Sequence, residues 1–310
     1  MPNIGGMEKI GFLAFLTGEQ CCITLSKAAG FLIFLSFFGL FSYATAAPLP
    51  LLSVAFYYGS DPPLGQMQMF SMVVVEPSHI YNAHNVILAS KKRNQDLFAY
   101  VSLGEVHTSR PYYPYIPQDS LRLQNSTWGS TAIDQRTIAW REFFLSHVIA
   151  PLWAQGWRGF FIDTLDSYQL FVKLDNERFD QRQGQIATIR ELKRRFPQAK
   201  LILNRGFELL PDLASITYAV AAESLYRRYD ASMNQYAPVP ANDHIWLLEQ
   251  MKIVRDWYGL PVISIDYVDP SDLDLCEIVR DTAKKVRADG FIPWITDGAI
   301  ASTMQLRCAL

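Results

Sequence analysis

The chain lacks a surplus of charge of either sign: 28 Lys and Arg stand against 30 Asp and Glu, and nowhere do five like charges run together. A protein that neutralises phosphates needs a basic excess, so nucleic acid is not an expected partner. The five His (His79, His84, His107, His147, His244) never fall at H-x-H or H-E-x-x-H spacing, so a zinc hydrolase or metal deacetylase is not expected and no metal ligands are assigned, a carboxylate-only site such as one for Ca²⁺ being the alternative. There is no G-x-S-x-G, no G-x-x-x-x-G-K-[ST] and no G-x-G-x-x-G. Serine-hydrolase and dinucleotide chemistry fall away with them, and no cofactor is expected. Four Cys are present, Cys21, Cys22, Cys276 and Cys308. Two of these precede residue 47, and the remaining pair reads as two thiols, buried or in the tail.

What is present is apolar and aromatic. Half of the 310 residues are hydrophobic and 13% are Phe, Trp or Tyr, which is enough for a large packed core and excludes disorder. Residues 28–43, AAGFLIFLSFFGLFSY, form an apolar run preceded by Lys27 and followed by Ala44-Thr45-Ala46 before Ala47-Pro48. That is the layout of a secretory signal, so residues 1–46 are expected to be a signal peptide or an uncleaved anchor. The protein would then be periplasmic or secreted, touching a membrane only through this segment if it stays attached.

Residues 47–310 alternate short apolar runs with longer segments of helical period. The runs are 53–58, 72–75, 97–103, 158–162, 200–203, 216–222, 262–267 and 291–295. Continuous rather than alternating hydrophobicity marks strands buried on both faces, the condition of a parallel sheet wrapped by helices. Helices are expected over 131–155 with Ile133, Ile138, Phe143, Phe144, Val148 and Leu152 on one stripe, and over 176–196. A third over 243–258 would bury Ile245, Leu248, Met251, Val254 and Trp257. A fourth, over 270–290, would begin at a Ser271/Asp274 capping box. Eight strands with intervening helices match a single α/β (β/α)8 TIM barrel, whose typical length is about 250 residues; an open doubly wound sheet is the alternative. Residues 107–127 read as a long Pro- and Tyr-rich loop, and the eighth helix must be short or missing.

In such a barrel the chemistry sits where strands end. The ends read Tyr58-Gly59-Ser60-Asp61, Val75-Glu76, Gly104-Glu105, Asp163-Thr164, Asn204-Arg205, Glu223-Ser224, Asp266-Tyr267 and Thr296-Asp297. Carboxylates dominate and Arg205 is the one cation. Convergent carboxylates repel, which raises some of their pKa values and suits them to acid-base work. With metals and nucleotides set aside, a polyhydroxylated substrate is indicated. Glycoside cleavage needs one carboxylate at the anomeric carbon and one carboxylic acid at the departing oxygen. Asp163 and Glu223 are the best pair.

Six strings carry a resemblance: AYVSLGEV (99–106), GFFIDTLDSY (159–168), LILNRGFELLP (201–211), AAESLY (221–226), VISIDYVD (262–269) and GFIPWITD (290–297). They resemble glycoside-hydrolase family 114. The resemblance implies a secreted, retaining endo-α-1,4-polygalactosaminidase that cuts galactosamine/N-acetylgalactosamine exopolysaccharide, with Asp163 as nucleophile and Glu223 as acid/base. It also implies that Tyr58, Glu105, Asn204, Tyr226 and Asp266 line the substrate cleft. Other exopolysaccharide biosynthesis or export proteins would be candidate partners. The tail GAIASTMQLRCAL (298–310) does not look like the family's continuation, which points to a poorly closed barrel. It also leaves a second function: a non-catalytic polysaccharide-binding barrel that assists export.

Overall fold

A computed structural model describes residues 52–308; the expected signal or anchor segment lies outside them. Eight parallel strands form one sheet in strictly sequential order: β1 (Val54–Tyr57), β2 (Met72–Val75), β3 (Asp96–Ser102), β4 (Gly159–Asp163), β5 (Lys200–Asn204), β6 (Ala219–Glu223), β7 (Val262–Tyr267) and β8 (Ile292–Thr296). Sequential order with β1 lying against β8 is a nearly closed barrel, so the open doubly wound alternative is set aside. The strands formed where β-branched and aromatic residues run unbroken, because both faces are covered: β2 and β7 are buried at every position.

The seam is closed by the tail. Tyr58 N–H, just past β1, donates to the Ile300 carbonyl at 2.7 Å. On the edge of β8 that faces away from β7, the Gln305 side chain accepts from Ile295 N–H at 2.7 Å and donates to the Pro293 carbonyl at 3.3 Å. A side-chain amide thus takes the main-chain bonds that a ladder to β1 would have made. Ile300 and Met304 are buried beneath it, the latter opening a short helix, Met304–Arg307. The expectation of a poorly closed barrel therefore gives way to a nearly closed one whose seam is bridged by residues 300–305. Cys276 and Cys308 are not free thiols but a disulfide, with Cα atoms 5.0 Å apart, tying this tail to helix Leu275–Ala288.

Other departures have local causes. Residues 130–133 belong to a strand rather than a helix, because the segment after β3 folds into a three-stranded antiparallel lobe (Glu105–His107, Leu121–Asn125, Ser130–Ile133). The helical stripe begins only at Ile138 and runs to Gln155 through a π-helical stretch, Phe144–Ile149. Helix Ala241–Asp256 buries Leu247, Met251 and Val254, while Ile245 and Trp257 are exposed: the apolar face is rotated from the expected one. Ser271 caps nothing; its N–H and hydroxyl donate to Asp269, and the helix starts at Leu275. Helix Asp175–Arg195 forms as expected. After β6 a hairpin, Arg227–Asp230 with Gln235–Pro238, places the Tyr229 and Tyr236 rings 4.8 Å apart.

Candidate active site

Register decides which strand-end side chains meet. Ile162 pairs with Leu203 across β4 and β5, and Asn204 with Ala221 across β5 and β6. Asp163 therefore ends β4 beside Asn204, and Glu223, two residues beyond Ala221, points to the same side. The Asn204 amide nitrogen donates at 2.7 Å to Asp163 Oδ1 and at 2.7 Å to Glu223 Oε1. One NH2 group, using both protons, holds two carboxylates from different strands. Their outer oxygens are held by phenols: Tyr100 donates to Asp163 Oδ2 at 2.8 Å, and Tyr267 to Glu223 Oε2. Each carboxylate thus receives one amide and one phenolic hydrogen bond.

Both carboxylates are half-buried. Burial, and next the Glu223 charge, push Asp163 from 3.8 up to about 6, against the lowering effect of the Asn204 and Tyr100 donors. Burial also lifts Tyr58, Tyr100 and Tyr267 well above the ordinary phenol range. Asp163 is the next cause for Tyr58 and Tyr100, and Glu223 for Tyr267. All three therefore keep their protons and remain donors across the neutral range. The Tyr58 ring lies 4.8 Å from that of Tyr100, completing an aromatic wall beside Asp163.

Backbone strain surrounds the pair. Thr164, Arg205 and Ser224, each directly after a site residue, have φ of 64°, 55° and 66°. For β-branched Thr164 this is costly. Its hydroxyl compensates, accepting from the N–H groups of Gly104 and Glu105 at 2.8 and 3.0 Å. Gly104 has no alternative: a Cβ there would stand 1.8 Å from the Thr164 carbonyl oxygen.

Of the residues expected at the cleft, Tyr58, Asn204, Asp163 and Glu223 converge, and three do not. Glu105 turns into the lobe because Gly104 is locked against Thr164; it is buried, accepting from Ser130, from Ser167 at 2.6 Å and from Asn125 at 3.2 Å. Asp266 is fully buried and accepts from the N–H groups of Tyr226 and Arg227 at 2.6 and 2.7 Å and from Ser264 at 2.7 Å. It pins the turn that follows Glu223 instead of facing substrate. Tyr226 swings outward, donating to Asp289 and lining a separate cavity of about 570 Å³ with His244, Asp274 and Lys285. Tyr100 and Tyr267 went unselected although both lie in the quoted strings. The usable signal is a Tyr at or two residues before the C-terminal end of a buried strand, where a hydroxyl needs a partner.

Comparison with known proteins decides the family. The model of glycoside-hydrolase family GH114 matches residues 45–309. The chain belongs to that family. The match spans the tail, so residues 298–309 lie within the GH114 pattern, not outside it. This GH114 chain is similar to the glycoside hydrolase domain of PelA from Pseudomonas aeruginosa, with 33% identity and a TM-score of 0.73 over 81% of this chain and 96% of that one. It shares the fold of Ega3 from Aspergillus fumigatus, solved in complex with galactosamine, at 15% identity and a TM-score of 0.59 over 85% and 98% of the two chains. Among curated proteins no match was found. As a GH114 member with this barrel, the chain is a glycoside hydrolase.

Proposed function

We propose that the chain is a retaining endo-glycosidase acting on α-1,4-linked, galactosamine-rich exopolysaccharide, with Asp163 as nucleophile and Glu223 as acid/base. The observation that carries this reading is the shared Asn204 amide. Because its nitrogen bonds both carboxylates at 2.7 Å, the two accepting oxygens lie within twice that distance of each other. That close approach of the inner oxygens is compatible with the separation of about 5–5.5 Å used for covalent retention.

In this scheme Asp163 attacks the anomeric carbon while Glu223 gives its proton to the departing glycosidic oxygen. Glu223 then takes a proton from the water that hydrolyses the glycosyl-enzyme ester, releasing Asp163. The Tyr100 and Asn204 donors favour the charged form of Asp163, the form that must attack. The substrate class is supported by the family resemblance and by galactosamine in the Ega3 complex. The 28–46 pattern supports export to the periplasm or beyond.

The test is digestion of partly deacetylated α-1,4-N-acetylgalactosamine polymer, read by mass spectrometry and ¹H NMR. Shortened oligosaccharides first released as the α-anomer are expected. First release of the β-anomer would refute retention, and an undigested polymer would refute the substrate class.

A further inference from the structure

Arg110 sits on the lobe that follows β3, outside the scheme just described. Two bonds of 2.8 and 2.7 Å fix its guanidinium to the buried Glu76 carboxylate at the end of β2. Glu76 is itself held by the Ser78 N–H at 3.1 Å and hydroxyl at 2.6 Å. The guanidinium carbon lies 5.9 Å from the centroid of the Tyr100 ring, and it is the hydroxyl of that ring that donates to Asp163. We infer that Arg110 is a positioning residue for Asp163, acting through Tyr100.

The physical case has two parts. A bidentate Arg–carboxylate pair is planar and rigid, so the cation stands in one place over the ring rather than sweeping across it. A cation over a phenol face attracts its electron density, which makes the hydroxyl a stronger donor and limits the ring's freedom to turn away from Asp163. The charged and titratable groups facing this assembly are Glu223, Tyr58, Tyr100 and Tyr267 around Asp163, and Glu76 and Tyr112 around Arg110. Among these Arg110 is the cation. The lobe thus reaches the reacting carboxylate electrostatically while contributing nothing that touches it.

The inference rests on Asp163 being a reacting carboxylate, and the experiment separates the two. Kinetics on a galactosamine oligosaccharide of fixed length compare wild type, R110M, R110K, Y100F, Y100F/R110M and D163N across pH. R110M is expected to lower kcat roughly two- to five-fold at unchanged KM, the factor a cation-over-ring contact represents. It should also move the acid limb of kcat/KM up by roughly half a pH unit, with partial recovery in R110K. In the Y100F background R110M should add nothing to either change. Wild-type kcat and limb in R110M, or an undiminished effect in Y100F, would overturn the inference. Should R110M fail to fold because it strands Glu76, E76Q/R110M leaves no lone buried charge, and the same outcomes apply. Full activity in D163N would remove the underlying assignment and the inference with it. An inactive D163N beside an unchanged R110M overturns the inference alone.

Discussion

Replacing Asp163 with Asn separates what this carboxylate costs the fold from what it does for the reaction. Its pKa rises from 3.8 to about 6 on folding, first through burial and then through the Glu223 charge. Between those values the folded chain binds more protons at this site than the unfolded one. The stabilisation carried by the protonated form is therefore whole below about pH 4 and is lost as pH climbs through about 6. A shift of roughly two units corresponds to about 3 kcal/mol, and solvent reaching a half-buried group reduces this to about 1–2 kcal/mol. Asn is neutral, can turn its carbonyl to the Asn204 amide, and leaves the Tyr100 hydroxyl free to rotate and accept. D163N should thus unfold at a temperature roughly 3–6 °C above wild type at pH 7.5, with the gain shrinking toward zero near pH 4, while polymer cleavage disappears. Calorimetric melts at both pH values, beside a reducing-end assay, check this. A gain of equal size at both pH values, or none at pH 7.5, would refute the reasoning about burial and charge.

Three further outcomes are expected. E223Q should lower cleavage by roughly 10²–10⁴-fold, the usual weight of a general acid, and raise the melt at pH 7.5 by less than D163N does, because it removes the charge repulsion on Asp163 but not its burial; an activity within ten-fold of wild type would remove Glu223 from the role. D266N keeps an acceptor for the Tyr226 and Arg227 N–H groups and should cost within about 1 kcal/mol, whereas D266A leaves both unpaired and should cost about 2–4 kcal/mol, measured by denaturant unfolding. C276S/C308S opens a link of sequence separation 32 and should cost about 3–4 kcal/mol. Urea midpoints of the oxidised and mutant proteins test it, and equal midpoints would show the link to be idle.

The strands were legible because a barrel strand has no polar face: unbroken runs such as MVVV at 72–75 announce burial on both sides. The helices were legible in place but less so in orientation. Apolar residues lie all around helix Ala241–Asp256, so the 3–4 spacing selects Ile245 and Trp257, which are exposed, and passes over Leu247, which is buried. The lobe hid its strands because Ile133 fits a helical stripe as well as a sheet, and only pairing with Glu105–His107 distinguishes them. At the site, position in the strand picked out two carboxylates that the Asn204 amide brings together, since an acid closing GFFI or AVAA has no packing use. It misjudged Asp266, equally placed but satisfied by backbone N–H groups of a turn that no local pattern foretells. The disulfide was invisible for a similar reason: pairing depends on the tail folding back over β8, a long-range event.

The left-handed residues Thr164, Arg205 and Ser224 carry a practical corollary for enzyme engineering. Each strand passes through one left-handed residue immediately after delivering its functional group, so whatever follows leaves the strand in a set direction. Loop changes that begin beyond those residues and keep the Asp266 bonds to the Tyr226 and Arg227 N–H groups and the Ser167 bond to Glu105 are the ones expected to leave the height of Asp163, Asn204 and Glu223 unchanged. Loop identity and strand-end geometry are then separable variables of one scaffold.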